Sequence, residues 1–399
     1  MLSLSMIVRN EATRIEACLR SVQGFVDEAV LLDTGSGDDT AAIARRCGAS
    51  VHEHPWPGDF APARNLALAQ VRGDWVLVLD ADERLLPEAR GELQRLMAQS
   101  DLLLINLLRF EAGAAQSPYS LVSRLFRRHP ALHWSGAYHA MVDDSVSALL
   151  AREPHWRIAD CPIPAIHHEG YRSEALADGR KARLLRQAME RELSLRPGDP
   201  YACAKLGALE VQEGQQARGI ALLEQGLAHC AAEAQPLRYE LLLHLALARG
   251  RQGETAAASE RLYRQALAIP QQERLRLGAR LNLAALLLQR GSLEEAEAQC
   301  RQALAAAPEV ALAWYNLGLV LRRRGALAEA ITAYERAIAL NPASAASHQN
   351  LAVAQLMAGE INAARRSFQQ AIRLLEQQGQ PAAAADLERQ AGALVKLDA

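Results

Sequence analysis

Lysine is nearly absent from this 399-residue chain: Lys181, Lys205 and Lys396 stand against 41 arginines. With 46 acids against 44 bases the formal charge is −2, so no basic excess draws the chain to nucleic acid or an anionic membrane. Large rings are few, and no run approaches the ~18 continuous apolar residues of a membrane span. A cleavable leader is not expected, because Met1-Leu-Ser-Leu-Ser-Met-Ile-Val meets Arg9 and Glu11 too early and reads as a first strand. The six cysteines (Cys18, Cys47, Cys161, Cys203, Cys230, Cys300) form no C-x-x-C pair. That argues against a zinc site or disulfide framework and for buried, reduced thiols in a cytoplasmic protein.

What is present falls into two halves of different periodicity. Up to about residue 175, short apolar runs alternate with helical patterns. Strands are expected at Leu4–Val8, Ala29–Leu32, Ser50–His52 and Trp75–Leu79, with helices at Glu11–Val22, Asp39–Cys47 and Ala61–Gln70. This rhythm predicts an α/β domain over residues 1–175 with a mainly parallel sheet covered on both faces. Ligands of such sheets sit beyond the carboxyl ends of the strands, here Arg9–Asn10, Asp33–Ser36 and Asp80–Glu83.

A helical linker over 176–198 leads to an all-α region over 199–399. Glycines recur there at Gly214, Gly253, Gly291, Gly325 and Gly359, the last intervals being 34 residues. Trp314-x-x-Leu317-Gly318 followed by Ala330, Tyr334, Ala337 and Pro342 closely resembles the tetratricopeptide pattern. The neighbouring units keep Ala284, Ala296 and Ala303, then Ala352, Ala364, Phe368 and Ala371. Small residues sit where two helices touch, large ones fill the gap, and proline closes the second helix. About five repeats are expected, with the Ala-rich stretch after Gln380 as a terminal cap.

The chemistry-bearing residues lie in the first half. Trp75-Val-Leu-Val-Leu-Asp80-Ala-Asp82-Glu83 delivers two carboxylates from an apolar strand, at i and i+2, on one side if the chain stays extended. Hard oxygen ligands on rigid backbone suit Mn²⁺ or Mg²⁺, which bind substrate phosphates and neutralise a departing diphosphate. Asp33-Thr-Gly-Ser-Gly-Asp-Asp39-Thr40 follows an earlier strand, and a carboxylate there can accept from a base N–H or ribose hydroxyls. Asp39 or Thr40 is also placed to cap the next helix. Arg64, in Phe60-Ala-Pro-Ala-Arg64-Asn65, supplies a forked donor for a base carbonyl or a phosphate, or else is a surface helical arginine.

Taken in order, Met6-Ile-Val-Arg-Asn10-Glu11, Leu32-Asp33-Thr-Gly-Ser36, Ala63-Arg64-Asn65, Gly73-Asp-Trp and Leu79-Asp-Ala-Asp-Glu83 resemble a family 2 glycosyltransferase of the GT-A, Rossmann-like fold. Weaker likeness continues through Arg124-Leu-Phe-Arg127, Gly136-x-x-His139 and His167-His-Glu-Gly170-Tyr171. The resemblance implies inverting transfer of a sugar from a nucleotide-sugar, a UDP-sugar first among the donors. By that likeness Val8, Asn10, Asp33 and Arg64 hold the nucleoside, and Asp80 and Asp82 hold metal and diphosphate. His168, or its neighbour His167, completes the metal site. Imidazole is a competent ligand for Mn²⁺ and less favoured by Mg²⁺.

Two positions depart from the family pattern. Ala140 stands where many relatives carry an acid after the histidine matching His139, and Asp33-Thr34 replaces two consecutive acids. Inverting transfer needs a base within ~3 Å of the acceptor hydroxyl. Asp143, Asp144 and Glu169 are the nearby carboxylates, and Asp143 is chosen because Met141–Asp144 continues the same stretch. The expected partners are a nucleotide-sugar and an acceptor protein, peptide or glycan recruited by the repeats, or a second copy of the chain. The alternative is a tetratricopeptide scaffold whose transferase half has decayed. A nucleotidyltransferase would carry a glycine-rich phosphate loop where this chain has Val8-Arg-Asn-Glu11.

Overall fold

The computed structural model describes residues 1–114, 117–136, 140–169, 180–251 and 256–395. The chain divides into two compact units, Met1–Leu209 and Glu210–Ala399.

The first unit is built on an eight-stranded sheet of order β3-β2-β1-β4-β7-β6-β8-β5. Its strands are β1 (Leu2–Val8), β2 (Glu28–Asp33), β3 (Ser50–Glu53), β4 (Trp75–Val78), β5 (Glu83–Leu85), β6 (Leu102–Glu111), β7 (Tyr119–Arg127) and β8 (Arg157–His168). Strands β3, β2, β1 and β4 run parallel, joined by α1 (Ile15–Val22), α2 (Thr40–Arg46) and α3 (Phe60–Leu68). Strand β7 then pairs antiparallel with both β4 and β6, and β5 antiparallel with β8, so the sheet is mixed. The second half of the sheet did not announce itself by periodicity: β6 is apolar almost throughout, and β8 carries Pro162 and Pro164.

Alternation along the parallel strands divides two cores. Leu4, Met6, Leu31, Leu77 and Leu79 face one layer, where α1 and α4 (Arg90–Met97) pack. Val30, Val76, Val78 and Phe126 face the other, with Trp134 and Val146 of α5 (Asp143–Arg152). Helix α1 starts later than its apolar period predicts, because the Glu11 N–H is held by Thr40 Oγ1 at 2.7 Å and Glu11–Arg14 forms a turn. Gly73 packs against the first strand: its N–H donates to Ser3 Oγ at 2.8 Å, and a Cβ there would lie 2.5 Å from that oxygen.

The helix α6 (Arg180–Leu195) covers most of the expected linker; residues 176–179 lie outside the described residues. In the second unit, helical pairs such as Leu277–Arg290 with Leu293–Ala306, and Ala311–Arg323 with Leu327–Leu340, recur to the end. The periodic glycines close first helices in the left-handed region: Gly291, Gly325 and Gly359 have φ of 81°, 81° and 83°. Gly253 lies outside the described residues. Gly318 sits against the fully buried Tyr334 ring, where a Cβ would come within 2.6 Å. The final helix, Pro381–Gly392, buries Leu387 and Ala391 against Ala352, Phe368 and Ala371, as a cap should. Among the described residues no helix is long and apolar enough to cross a membrane.

Candidate active site

The carboxyl ends of β1, β2 and β4 lie along one edge of the sheet, and three sequence segments meet there. Val8 pairs with Asp33 across β1 and β2, and the Val8 carbonyl accepts from the Thr34 N–H at 3.0 Å. Asp33 Oδ1 accepts the Gly35 and Ser36 N–H groups at 2.9 and 2.7 Å. Asn10 takes a positive φ of 56°, accepts the Gly37 N–H at 2.7 Å and donates its own N–H to Ser36 Oγ. A non-glycine residue in that region is held there by its surroundings. The α2 N-terminus is capped by Asp38, whose Oδ1 accepts the Thr40 N–H, and not by the side chain of Asp39 or Thr40.

Arg64 is buried, which corrects the reading of a surface helical arginine. Its guanidinium lies 4.8 Å over the Trp134 ring, while Asn65 clasps the Trp134 backbone, donating to its carbonyl and accepting its N–H. Trp134 is thus a core residue, also edge-on to Phe126. The Ala63-Arg64-Asn65 segment works as a unit: Asn65 fixes the platform on which Arg64 stacks.

Asp80 is bound by two arginines. Arg64 reaches Oδ1 at 2.7 Å and Arg124 reaches Oδ2 at 2.8 Å. Burial alone disfavours this charge, yet Arg124 and Arg64 hold the carboxyl well below the usual carboxylate range. Arg124 is aimed by a bulge: Ile105 pairs with Leu125 and Asn106 with Ser123, so Arg124 is an extra residue in β7. Arg64 Nη1 and Arg124 Nη1 are both buried and have no hydrogen-bond partner among the described residues. Buried guanidinium N–H groups without acceptors are costly, and an anionic ligand would satisfy them.

Asp82 faces His168, with Oδ2 and Nε2 3.4 Å apart. The other ring nitrogen, Nδ1, lies 2.6 Å from Glu111 Oε2. Register makes this meeting, because His168 stands opposite Glu83 across β5–β8 and opposite Glu111 across β6–β8. Arg109 links the two glutamates, donating to Glu83 and Glu111 at 2.8 Å each, and Glu83 accepts the Asp80 N–H at 2.9 Å. Burial would lower the His168 pKa, but hydrogen bonds to Asp82 and Glu111 push it up to about 9. Burial would raise Glu111, but His168 and Arg109 hold it down at about 2. The imidazole is therefore cationic in the ligand-free site at neutral pH. His167 points elsewhere, its ring 5.6 Å from that of Phe110.

Among the described residues no group of three or more His, Cys, Asp or Glu is arranged to hold a metal ion. The Asp82–His168 pair is a mixed oxygen and nitrogen donor set, which fits Mn²⁺ better than Mg²⁺ if a ligand's phosphates and water complete the shell.

The three candidate bases separate. Asp143, at the start of α5, is in hydrogen-bond contact with Ser123 Oγ at 2.8 Å, and burial raises its carboxyl above the ordinary value against that hydrogen bond. Asp144 accepts from Ser135 at the surface. Glu169 pairs with Arg84 at 2.9 Å and gives its N–H to the Asp82 carbonyl. His139, Gly170 and Tyr171 lie outside the described residues. Sequence reading missed Arg109, Glu111 and the role of Arg124. The available signal was charge at the end of an apolar strand, Leu107-Leu-Arg109-Phe-Glu111.

Residues 3–158 match the profile of Glycosyl transferase family 2, and residues 281–345 and 315–378 match Tetratricopeptide repeat. A TPR repeat-containing protein of Synechococcus elongatus is 47% identical over 306 residues, covering 77% of this chain and 75% of that one. A glycosyltransferase of Rickettsia felis is 39% identical over 97 residues, 24% of this chain and 34% of its own. The SPbeta prophage-derived glycosyltransferase SunS of Bacillus subtilis is 27% identical over 143 residues, 35% of this chain and 34% of its own. These last two likenesses span about a third of each relative. The protein belongs to the tetratricopeptide repeat-containing family of the Synechococcus relative, and its N-terminal domain is a family 2 glycosyltransferase domain.

Proposed function

We propose that the chain is a metal-dependent, inverting glycosyltransferase that moves a sugar from a nucleotide-sugar, a UDP-sugar foremost, to an acceptor recruited by its repeats. The observation that carries this reading is the Asp82–His168 pair 3.4 Å apart, close in sequence to an Asp80 whose two arginines each keep a buried nitrogen with no hydrogen-bond partner among the described residues. That combination of a cation site and unsatisfied anion donors suits a diphosphate.

Asp33, with the Val8–Asn10 backbone, would hold the nucleoside, and Arg64 and Arg124 would take phosphate oxygens through Nη1. Asp80 keeps both guanidiniums in place, and Asp82 and His168 would hold Mn²⁺ or Mg²⁺. When bound, the ion would neutralise charge on the departing diphosphate. Asp143 is the proposed base for the acceptor hydroxyl, since a carboxyl raised by burial accepts a proton nearer neutral pH. A cytoplasmic site of action accords with six cysteines that form no disulfide, five of them buried.

Stacked helical pairs form surfaces suited to extended partners, and a tethered acceptor gains effective concentration without new catalytic groups. The occupant is an acceptor protein, peptide or glycan; a second copy of the chain is the rival. Calorimetric titration of UDP, GDP, CMP and dTDP, with and without Mn²⁺, tests the donor. Mn²⁺-dependent binding of one nucleotide, weakened in Asp82→Asn, is expected. Silence from folded protein across the panel would overturn the enzyme reading in favour of a scaffold.

A further inference from the structure

The proposed metal ligand His168 is oriented by a carboxylate that no sequence motif announced. Glu111 is 5% exposed at its side chain and divides its two oxygens between different neighbours. Oε2 lies 2.6 Å from His168 Nδ1. Oε1 accepts from Arg109 Nε at 2.8 Å and from the Ser120 hydroxyl. Through Arg109, the same carboxylate is tied to Glu83, which is fully buried and holds the Asp80 N–H. One guanidinium therefore ties the acidic turn to the glutamate that holds the histidine.

We propose that Glu111 is a positioning residue: by accepting the Nδ1–H of His168 it fixes the ring so that Nε2 is presented, beside Asp82, to a divalent cation. The inference rests on the metal reading above and extends it to a residue outside the ligand set. Carboxylates that hold the distal nitrogen of a ligating histidine set its tautomer and orientation. Glutamine cannot replace the carboxylate here. With its oxygen toward Arg109 and Ser120, its NH₂ would meet the Nδ1–H donor; turned round, the NH₂ would meet Arg109.

Mn²⁺ alone is titrated into the full chain, and the bound ion is examined by electron spin-echo envelope modulation, which detects a directly bonded imidazole nitrogen. The wild type is expected to show that nitrogen coupling. Glu111→Gln should lose it and bind Mn²⁺ about 10- to 100-fold more weakly, while circular dichroism reports an unchanged fold. A Glu111→Gln protein with wild-type affinity and coupling would overturn the positioning role alone. A wild type without the coupling would overturn both that role and the metal reading.

A second measurement needs no variant. In ¹⁵N-histidine-labelled wild type loaded with Cd²⁺, Nδ1 of His168 should retain its proton while Nε2 shows the metal-induced shift. A proton found on Nε2 in the loaded protein would overturn the proposal.

Discussion

Charged residues are used differently in the two units. In the first, Glu83, Glu111, Arg64 and Arg124 withdraw from water around Asp80 and His168, Glu83 completely. In the second, pairs such as Arg264–Glu295 and Arg301–Glu329 join the second helices of successive helical pairs in the open, with side chains 45% and 42%, and 53% and 63%, exposed. Exposed pairs contribute ~0–1 kcal/mol each, so the repeats draw their stability from apolar packing, chiefly of Leu and Ala with Tyr239, Tyr263 and Tyr334. Buried ion pairs give little net stability over apolar replacements, and removing one partner is severe. Several buried charges converging on one place mark a candidate site, whereas the buried Glu210 and Arg280 of the second unit each pair with a half-exposed partner, Arg218 and Glu273.

This contrast can be broken most strongly at Asp82. Asp82→Asn should reduce glycosyl transfer by ~10³-fold, the scale of losing a preorganised electrostatic contact, while leaving the fold intact; unchanged turnover would remove Asp82 from the site. Glu83→Ala comes next, because it takes the buried acceptor from Arg109 Nη1 and from the Asp80 N–H. A loss of about 3–5 kcal/mol in chemical denaturation of the first unit is expected, and a loss below 1 kcal/mol would mean the cluster behaves like the surface pairs.

The His168 charge gives a pH test in metal-free protein. Its folded pKa lies above the unfolded value, so the contribution is complete below about pH 6.5 and fades as pH rises through about 9. At 1.36 kcal/mol per unit the loss is about 3 kcal/mol. It should be visible in denaturation curves between pH 6 and 10 and absent from His168→Gln. Parallel curves for the two proteins would dismiss the charged histidine.

On the repeat side the effects are steric and smaller. Gly318→Ala puts a methyl against Tyr334 and should cost about 1–3 kcal/mol, measured as a lower denaturation midpoint. Gly325→Ala meets open space, so only its φ of 81° matters, and about 1 kcal/mol is expected. If the two variants prove equal, the close Gly318–Tyr334 packing is not what holds that pair.

The first-unit strands and helices up to Val78 were legible because each short apolar run is bounded by turns and faces two cores. The repeats were legible because an interval of 34 residues brings the same small residues to the same contact. Legibility failed past residue 100, where β6 lacks alternation and β8 is interrupted by prolines. It failed for the contact of Glu111 with His168 because their meeting depends on register. They are separated by 57 positions and a strand crossover, and no local pattern encodes which residues stand opposite. Arg124 was hidden for a related reason, since its aim comes from one unpaired residue in β7.

Composition and spacing by themselves determined the division into an α/β half and a helical array, and they put Asp33, Asp80 and Asp82 at the carboxyl ends of parallel strands and Arg64 on the helix before the acidic strand. Those features follow from local physics: apolar period, turn chemistry and the sharing of one contact by repeated small residues. Tertiary structure alone decided how the carboxylates divide their work. Asp80 answers to two arginines, Asp82 looks to His168, and Glu111 holds that histidine from behind. Charge must be balanced where water is excluded, and the partners that balance it are chosen by strand register and not by neighbours in the chain.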